Sequence, residues 1–355
     1  MAHGLLFISL LLCLILTVAV EAEVDVWKYF NAPFRSFPDT DERCGCKSHK
    51  AEIESAYKEA AKMIDAAAEA FTWINGRPFP DDNSLDSFKW MRIVVAMTSI
   101  LGIEIDSETG WRLGPRDDYI FSCARNVFVR LQNGMKRDGK HVNKFNGLYC
   151  GTSGFQWYNY TSDDPTNVGQ KVSDDRDRYG DMYWPDGFWY FNWNKFMLEE
   201  HTPTDNHLCP PDIVARATHE LSFILLCDLA FASPPTVVKS KIENGMMLDE
   251  DELHHNIAHV FVHELTHYDG SLDNDILDQP AHDEDGNIQY RSDGTPFGTY
   301  HLASVYNLAA AKPKLTCKSA QSLSLFAMAM YLEEWTWDVE GAMDYPTWLA
   351  WRLDS

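Results

Sequence analysis

The stretch Val262-His263-Glu264-Leu265-Thr266-His267-Tyr268 decides how the rest of the chain is read. Two histidines four apart on a helix lie about 40° apart around the axis and one turn apart along it, so their imidazoles can converge on one ion. Neutral imidazole is a good zinc ligand. Glu264 follows the first histidine directly, so its carboxylate can flank a bound metal without ligating it and can take a proton from a metal-bound water. Upstream, Ile257, Val260 and Phe261 supply an apolar stripe at helical spacing, and Asp249, Glu250, Asp251 and Glu252 stand where carboxylates favour the positive end of a helix dipole. The pattern predicts a helix over roughly residues 249–268.

Two competitors lie in the same chain. His219-Glu220-Leu221-Ser222 begins in the same way but puts Phe223 where the second histidine belongs, which removes the ligand pair. His255, His259, His263 and His267 recur every four residues and so form three overlapping pairs; only the last pair has a glutamate after its first histidine, as hydrolysis requires. For His255 and His259 a solvated or hydrogen-bonded histidine face is the expected role. The ladder, with His254 beside it, keeps open a non-catalytic zinc-binding or surface-interaction protein as the alternative function.

A catalytic zinc needs a third protein ligand and an open position. Extending the motif through Gly270 to Asp273 resembles the metzincin pattern HExxHxxGxxH or D, which would make Asp273 the ligand. Metzincins also place a methionine in a tight turn beneath the metal, whereas Met328 and Met330 lie in SLSLFAMAMYL, whose spacing favours a buried helix. A second resemblance runs further. HELTH, an acidic loop, Phe297-Gly298, Leu302-Ala303, Leu308-Ala309 and the segment from Ser319 onward are ordered as in the deuterolysin-like aspzincins, and the preceding SFILLCDLAF is similar too. That family includes secreted peptidyl-lysine metalloendopeptidases, and the resemblance covers roughly residues 205–335. It implies a zincin-like fold, a zinc ion and an aspartate ligand from a motif of the form GTxxDxxYG. The corresponding stretch here is Ser292-Asp293-Gly294-Thr295-Pro296-Phe297-Gly298, in which Asp293 sits one residue further from the aromatic-glycine pair than the family spacing and Thr295 follows it. The resemblance thus implies Asp293 as third ligand, with Asp273 next and Asp275, His282 and His301 also open. Tyr290 or Tyr300 could offer a hydroxyl to an oxyanion.

Outward from this centre, the chain carries export signals. Leu5 to Val20 is a nearly continuous apolar run, followed by Ala22 at a plausible cleavage point. This is the layout of a signal peptide, short for a membrane span, although the leading Met-Ala-His lacks a basic residue. An uncleaved anchor is the other reading. Removal of residues 1–22 leaves 333 residues and takes the net charge from −23 to −22, because Glu21 is the only charged residue lost. So acidic a chain repels nucleic acid and anionic lipid, which discounts both as partners; the partner expected from the HELTH motif is a protein or peptide substrate. Cys44, Cys46, Cys123, Cys150, Cys209, Cys227 and Cys317 are spread without paired knuckles and read as disulfides in an oxidising compartment, with one left over. Asn159-Tyr160-Thr161 is a glycosylation sequon.

Residues 23–47 lack periodicity and read as an extended segment stapled through Cys44 or Cys46. Ile53, Tyr57, Ala60, Ile64, Ala67 and Phe71 predict one helix, and a second is expected from Leu85 to Leu101, ending at Gly102. Residues 103–180 read as mixed and turn-rich. Tyr183 to Phe196 is an aromatic block expected to form a strand covered on both faces, and Ser222 to Phe231 reads as a buried strand. A last helical pair is expected over about 302–311 and 319–335, and no internal repeat stands out. The expectation is an α+β, zincin-like unit with a mixed sheet and additional N-terminal helices. Residues 1–22 would be the signal peptide and 23–355 one secreted unit, divided into an N-terminal helical and loop part (23–180) and a catalytic part (181–355). The expected function is a secreted zinc-dependent metalloendopeptidase, with His263, His267 and Asp293 on zinc and Glu264 as general base.

Overall fold

The computed structural model describes residues 24–30, 46–136, 147–152, 155–179, 187–191, 195–199, 208–210, 213–218, 223–249, 253, 255–270, 276–338 and 340–354. The expected signal peptide and Cys44 lie outside them. In chain order the main elements are α1 (Val26–Tyr29), α2 (Lys50–Ile74), α3 (Leu85–Leu101), α4 (Pro115–Lys136), β1 (Gly147–Cys150), β2 (Phe155–Asn159), α5 (Arg176–Tyr179), β3 (Gly187–Phe191), β4 (Lys195–Glu199), β5 (Ala215–Thr218), β6 (Phe223–Leu226), α6 (Ile257–Asp269), α7 (Leu302–Ala311), α8 (Ala320–Tyr331), β7 (Trp335–Asp338), β8 (Gly341–Asp344) and α9 (Tyr345–Asp354). The fold is α+β.

Two N-terminal helices form where the apolar spacing put them. In α2, Ile53, Tyr57, Ala60, Ile64, Ala67 and Phe71 are all fully buried. The Ser84 hydroxyl caps α3 by accepting from the Ser87 amide at 3.2 Å. Gly102 ends that helix in the left-handed region at φ 66°, and a Cβ there would also strike the Ala309 carbonyl. The turn-rich reading of 103–180 is corrected by α4, a helix of 22 residues. Its signals were local: Pro115 at the first helical position, Asp117 and Asp118 in the first turn, and Ile120, Ala124, Phe128, Leu131 and Met135 along one buried face.

The central sheet is mixed, in the order β1-β6-β5, with β1 parallel and β5 antiparallel to β6. All four residues of β6 are buried. The expected strand over 222–231 is therefore shorter in fact, because Asp228–Ala232 turns into a 3-10 helix. Within the aromatic block, β3 pairs antiparallel with β2 and β4; most of its side chains lie outside what is described. The helices share one hydrophobic core with this sheet. α2 packs against both α6 and α8, through the edge-on pair Tyr57–Phe261 (5.6 Å between ring centroids) and through Phe71–Phe326 (5.3 Å).

Three disulfides tie distant parts together: Cys46–Cys150, Cys123–Cys317 and Cys209–Cys227. The first two close loops of 104 and 194 residues, lengths at which loop-closure entropy is largest. Such cross-links fit an oxidising compartment. No helix among the described residues is long and apolar enough to cross a membrane.

Arg92 is 5 % exposed and donates through Nη1 to the carbonyls of Ala329 (3.2 Å) and Met330 (3.0 Å), which lack helical partners at the end of α8. Burial draws its pKa down to about 10, so it stays cationic at neutral pH. Replacing Arg92 with Met leaves both carbonyls buried and unpaired and should cost about 3 kcal/mol, read from urea unfolding. Glu59 is also buried on α2, and burial raises its pKa despite hydrogen bonds from the Val237 amide and Tyr331. An acid with a raised folded pKa contributes stability that is present below its unfolded value and lost as pH rises through the folded one. Glu59→Gln should therefore narrow the difference in Tm between about pH 5 and about pH 8.

Candidate metal centre

Helix α6 begins later than the charge pattern suggested. Asn256 caps it, accepting from the His259 amide at 2.8 Å. Asp249, expected at its start, instead accepts from the Leu302 amide at 2.8 Å and so serves the N-terminus of α7; residues 250–252 lie outside the described residues. Ile257, Ala258, Phe261, Val262 and Leu265 bury the apolar face of α6. That burial leaves His263 and Glu264 to line a cleft of about 560 Å³, with His267 grouped beside His263.

The two imidazoles meet edge to face, with ring centroids 4.9 Å apart and Nε2 atoms 3.2 Å apart. Each ring is held from behind. His263 Nδ1 lies 3.0 Å from Gln321 Oε1. The Gln321 amide nitrogen donates to the Tyr300 carbonyl, which turns its oxygen toward the ring. His267 Nδ1 lies 2.9 Å from the Ile276 carbonyl. Both partners can only accept, so Nδ1 carries the proton in the neutral ring and Nε2 presents a lone pair.

The third donor at this point is Asp278. Its Oδ1 is 3.1 Å from His263 Nε2 and 3.3 Å from His267 Nε2. Among the described residues His263, His267 and Asp278 form a group that could hold a metal ion. Burial would raise the Asp278 pKa, but hydrogen bonds and charge from both histidines hold it well below the usual carboxylate range. Burial would likewise lower that of His267; the Asp278 hydrogen bond and the Glu264 and Asp278 charges outweigh it and raise the value to about 9. The pocket between the three is thus made for a cation or a shared proton. Glu264, 6 % exposed, has its pKa raised chiefly by burial, against the two histidines and a hydrogen bond from the Ala217 amide of β5.

Asp293, the ligand that the family resemblance implies, does not join this group. It stands in an exposed turn, where its Oδ1 accepts from the Thr295 amide (2.9 Å) and hydroxyl (2.7 Å). Asp273 and Asp275 lie outside the described residues. His282 is buried with Nδ1 on the Pro280 carbonyl at 2.8 Å, and His301 precedes α7 with its ring exposed. Tyr290 is exposed, whereas the Tyr300 hydroxyl donates to Asp278 Oδ2 at 3.0 Å. Asp278 and Gln321 carried no local spacing that marked them. Asp278 is delivered by backbone pairing: Leu277 bridges Ser319 in parallel, with its amide on the Lys318 carbonyl and its carbonyl accepting from Ala320.

Between Asp278 and Tyr300 the chain makes two tandem hairpins of eight residues each, a repeat that the sequence had not suggested. His282 bridges Ile288 and Tyr290 bridges Pro296, the same contact displaced by eight. The turns match as well, with Gly286 at φ 80° and Gly294 at φ 84°. Ala281, Gln289 and Phe297 close a ring of three backbone hydrogen bonds, and the Thr299 amide returns to the Gln279 carbonyl. The excursion therefore starts and ends at the metal group, bringing Tyr300 onto Asp278.

The chain matches no protein-family model, no curated protein and no solved structure.

Proposed function

We propose that this chain is a secreted zinc-dependent endopeptidase of the zincin type. The observation that carries the reading is the triangle of donor atoms. Its sides of 3.2, 3.1 and 3.3 Å suit three corners of a tetrahedron around an ion with bonds of about 2.0–2.1 Å, whose edges are about 3.3–3.4 Å. Two neutral imidazoles and one carboxylate form a donor set used by hydrolytic zinc sites, which keep a further position open. Bound there, zinc would supply Lewis acidity for the scissile carbonyl and lower the pKa of water.

The chain's own residues supply the remainder. Glu264 adjoins the group, and its raised pKa suits a carboxylate that takes a proton from the attacking water and returns it to the leaving amine. Gln321 and the Ile276 carbonyl fix the ring orientations. Tyr300, whose phenol is held protonated by burial and by the Asp278 charge beside it, donates to the Asp278 carboxylate and steadies the third donor. The aspzincin-like order of segments around HELTH and the three disulfides support the same reading. His255 and His259 line the same cleft, which favours as second reading a zinc-holding protein without turnover.

Glu264→Gln should keep one tight zinc per chain, measured by elemental analysis, and lower peptide hydrolysis by about 10²–10⁴-fold. Wild-type turnover in that variant would overturn the assignment, and several bound ions per chain without turnover would favour the second reading. Gln321→Leu should weaken zinc binding by about 10–100-fold in competition with a chelator. Asp278→Ala should weaken it further, while Asp293→Ala should leave zinc content intact.

A further inference from the structure

The second of the two hairpins places Arg291 on the wall of the cleft that contains His263, Glu264 and Asp278. Its backbone is pinned at the turn, the amide donating to the Thr295 carbonyl at 2.7 Å and the carbonyl accepting from Gly294 at 3.0 Å. The guanidinium lies over the Phe297 ring at 5.5 Å, which limits its swing without cancelling its charge. The nearest acid along the turn, Asp293, spends its Oδ1 on Thr295. Among the described residues Arg291 makes no ion pair and remains exposed. In a chain with 53 acidic and 30 basic residues, a cation left open at the mouth of the cleft calls for a partner from outside.

We infer that Arg291 is a specificity-determining residue that binds a carboxylate of the substrate, either an Asp or Glu side chain near the scissile bond or the free C-terminus. This inference rests on the hydrolytic reading of the cleft. A guanidinium presents a planar fork of N–H donors that matches a carboxylate in two parallel hydrogen bonds. The acidic charge of the whole molecule does not forbid this. At physiological salt its field is screened over about 8 Å, whereas a direct contact acts at hydrogen-bond distance. Glu264 and Asp278, the acids that share the cleft, face the two imidazoles.

The test uses the full-length protein loaded with zinc and sets of internally quenched peptides. Each set pairs Glu with Gln at one position beside the cleaved bond, and a further set pairs a free C-terminus with its amide. The wild type should favour one carboxylate-bearing member by about tenfold in kcat/KM, as one charge-assisted contact allows. Arg291→Gln should abolish that ratio, Arg291→Lys should keep part of it, and Arg291→Glu should invert it in favour of the uncharged member of the pair. A response confined to the Glu/Gln sets identifies a side-chain carboxylate, and one confined to the acid/amide set identifies the terminus. Equal rates within every pair for the wild type, or a ratio unchanged in Arg291→Gln, overturns the inference while leaving peptidase activity standing. The same labelled peptides are also titrated against the Glu264→Gln protein by fluorescence anisotropy. An Arg291-dependent preference in binding, with no hydrolysis by the wild type, would uphold carboxylate recognition and overturn the peptidase reading instead.

Discussion

Two imidazole nitrogens held 3.2 Å apart with their lone pairs turned to the same point repel one another unless a positive charge lies between them. The structure sustains that arrangement from both sides. Behind the rings, Gln321 and the Ile276 carbonyl occupy each Nδ1; in front, Asp278 offers its carboxylate to both Nε2 atoms. These supports come from two parts of the chain remote from the histidines, so the group exists only when helix α6, the segment 276–278 and helix α8 are packed together.

That packing explains the size of the molecule around so small a site. α6 is buried on its apolar face between α2 and α8, and Tyr57 and Phe261 meet edge-on where α2 crosses it. The N-terminal helices are thus part of the wall that orients the histidines. The Cys123–Cys317 disulfide anchors the turn ahead of α8 to α4, and the very next residues, 318–320, pair with Leu277. The covalent staple at Cys317 thus stands next to the parallel bridge at Ser319, and Asp278 directly follows the bridge's other partner, Leu277.

The tandem hairpins show how a loop can be long without being loose. Twenty-one residues separate Asp278 from Tyr300, yet the Tyr300 hydroxyl is 3.0 Å from the Asp278 carboxylate. Backbone bonds among Ala281, Gln289 and Phe297 and the two glycine turns hold the excursion as a fixed lip, with Arg291 on its inner side.

Much was legible locally. The sequence by itself determined helices α2 and α3, the burial of SLSLFAMAMYL and the convergence of His263 and His267, because helical periodicity and caps act within a few residues. The same local grammar was present in α4 but was masked by the turn formers around it, and the carboxylates before α6 misled because Asp249 caps a different helix. Only the tertiary structure decided the third donor. Near HELTH several aspartates compete, and spacing along the chain does not distinguish them. Asp278 joins the histidines because Leu277 pairs with the chain at Ser319, a contact 42 residues away in sequence, while Asp293 satisfies its own turn. A bond within one turn of helix is written in neighbouring residues; a ligand brought by strand pairing is set by which distant backbone atoms the buried core lets meet.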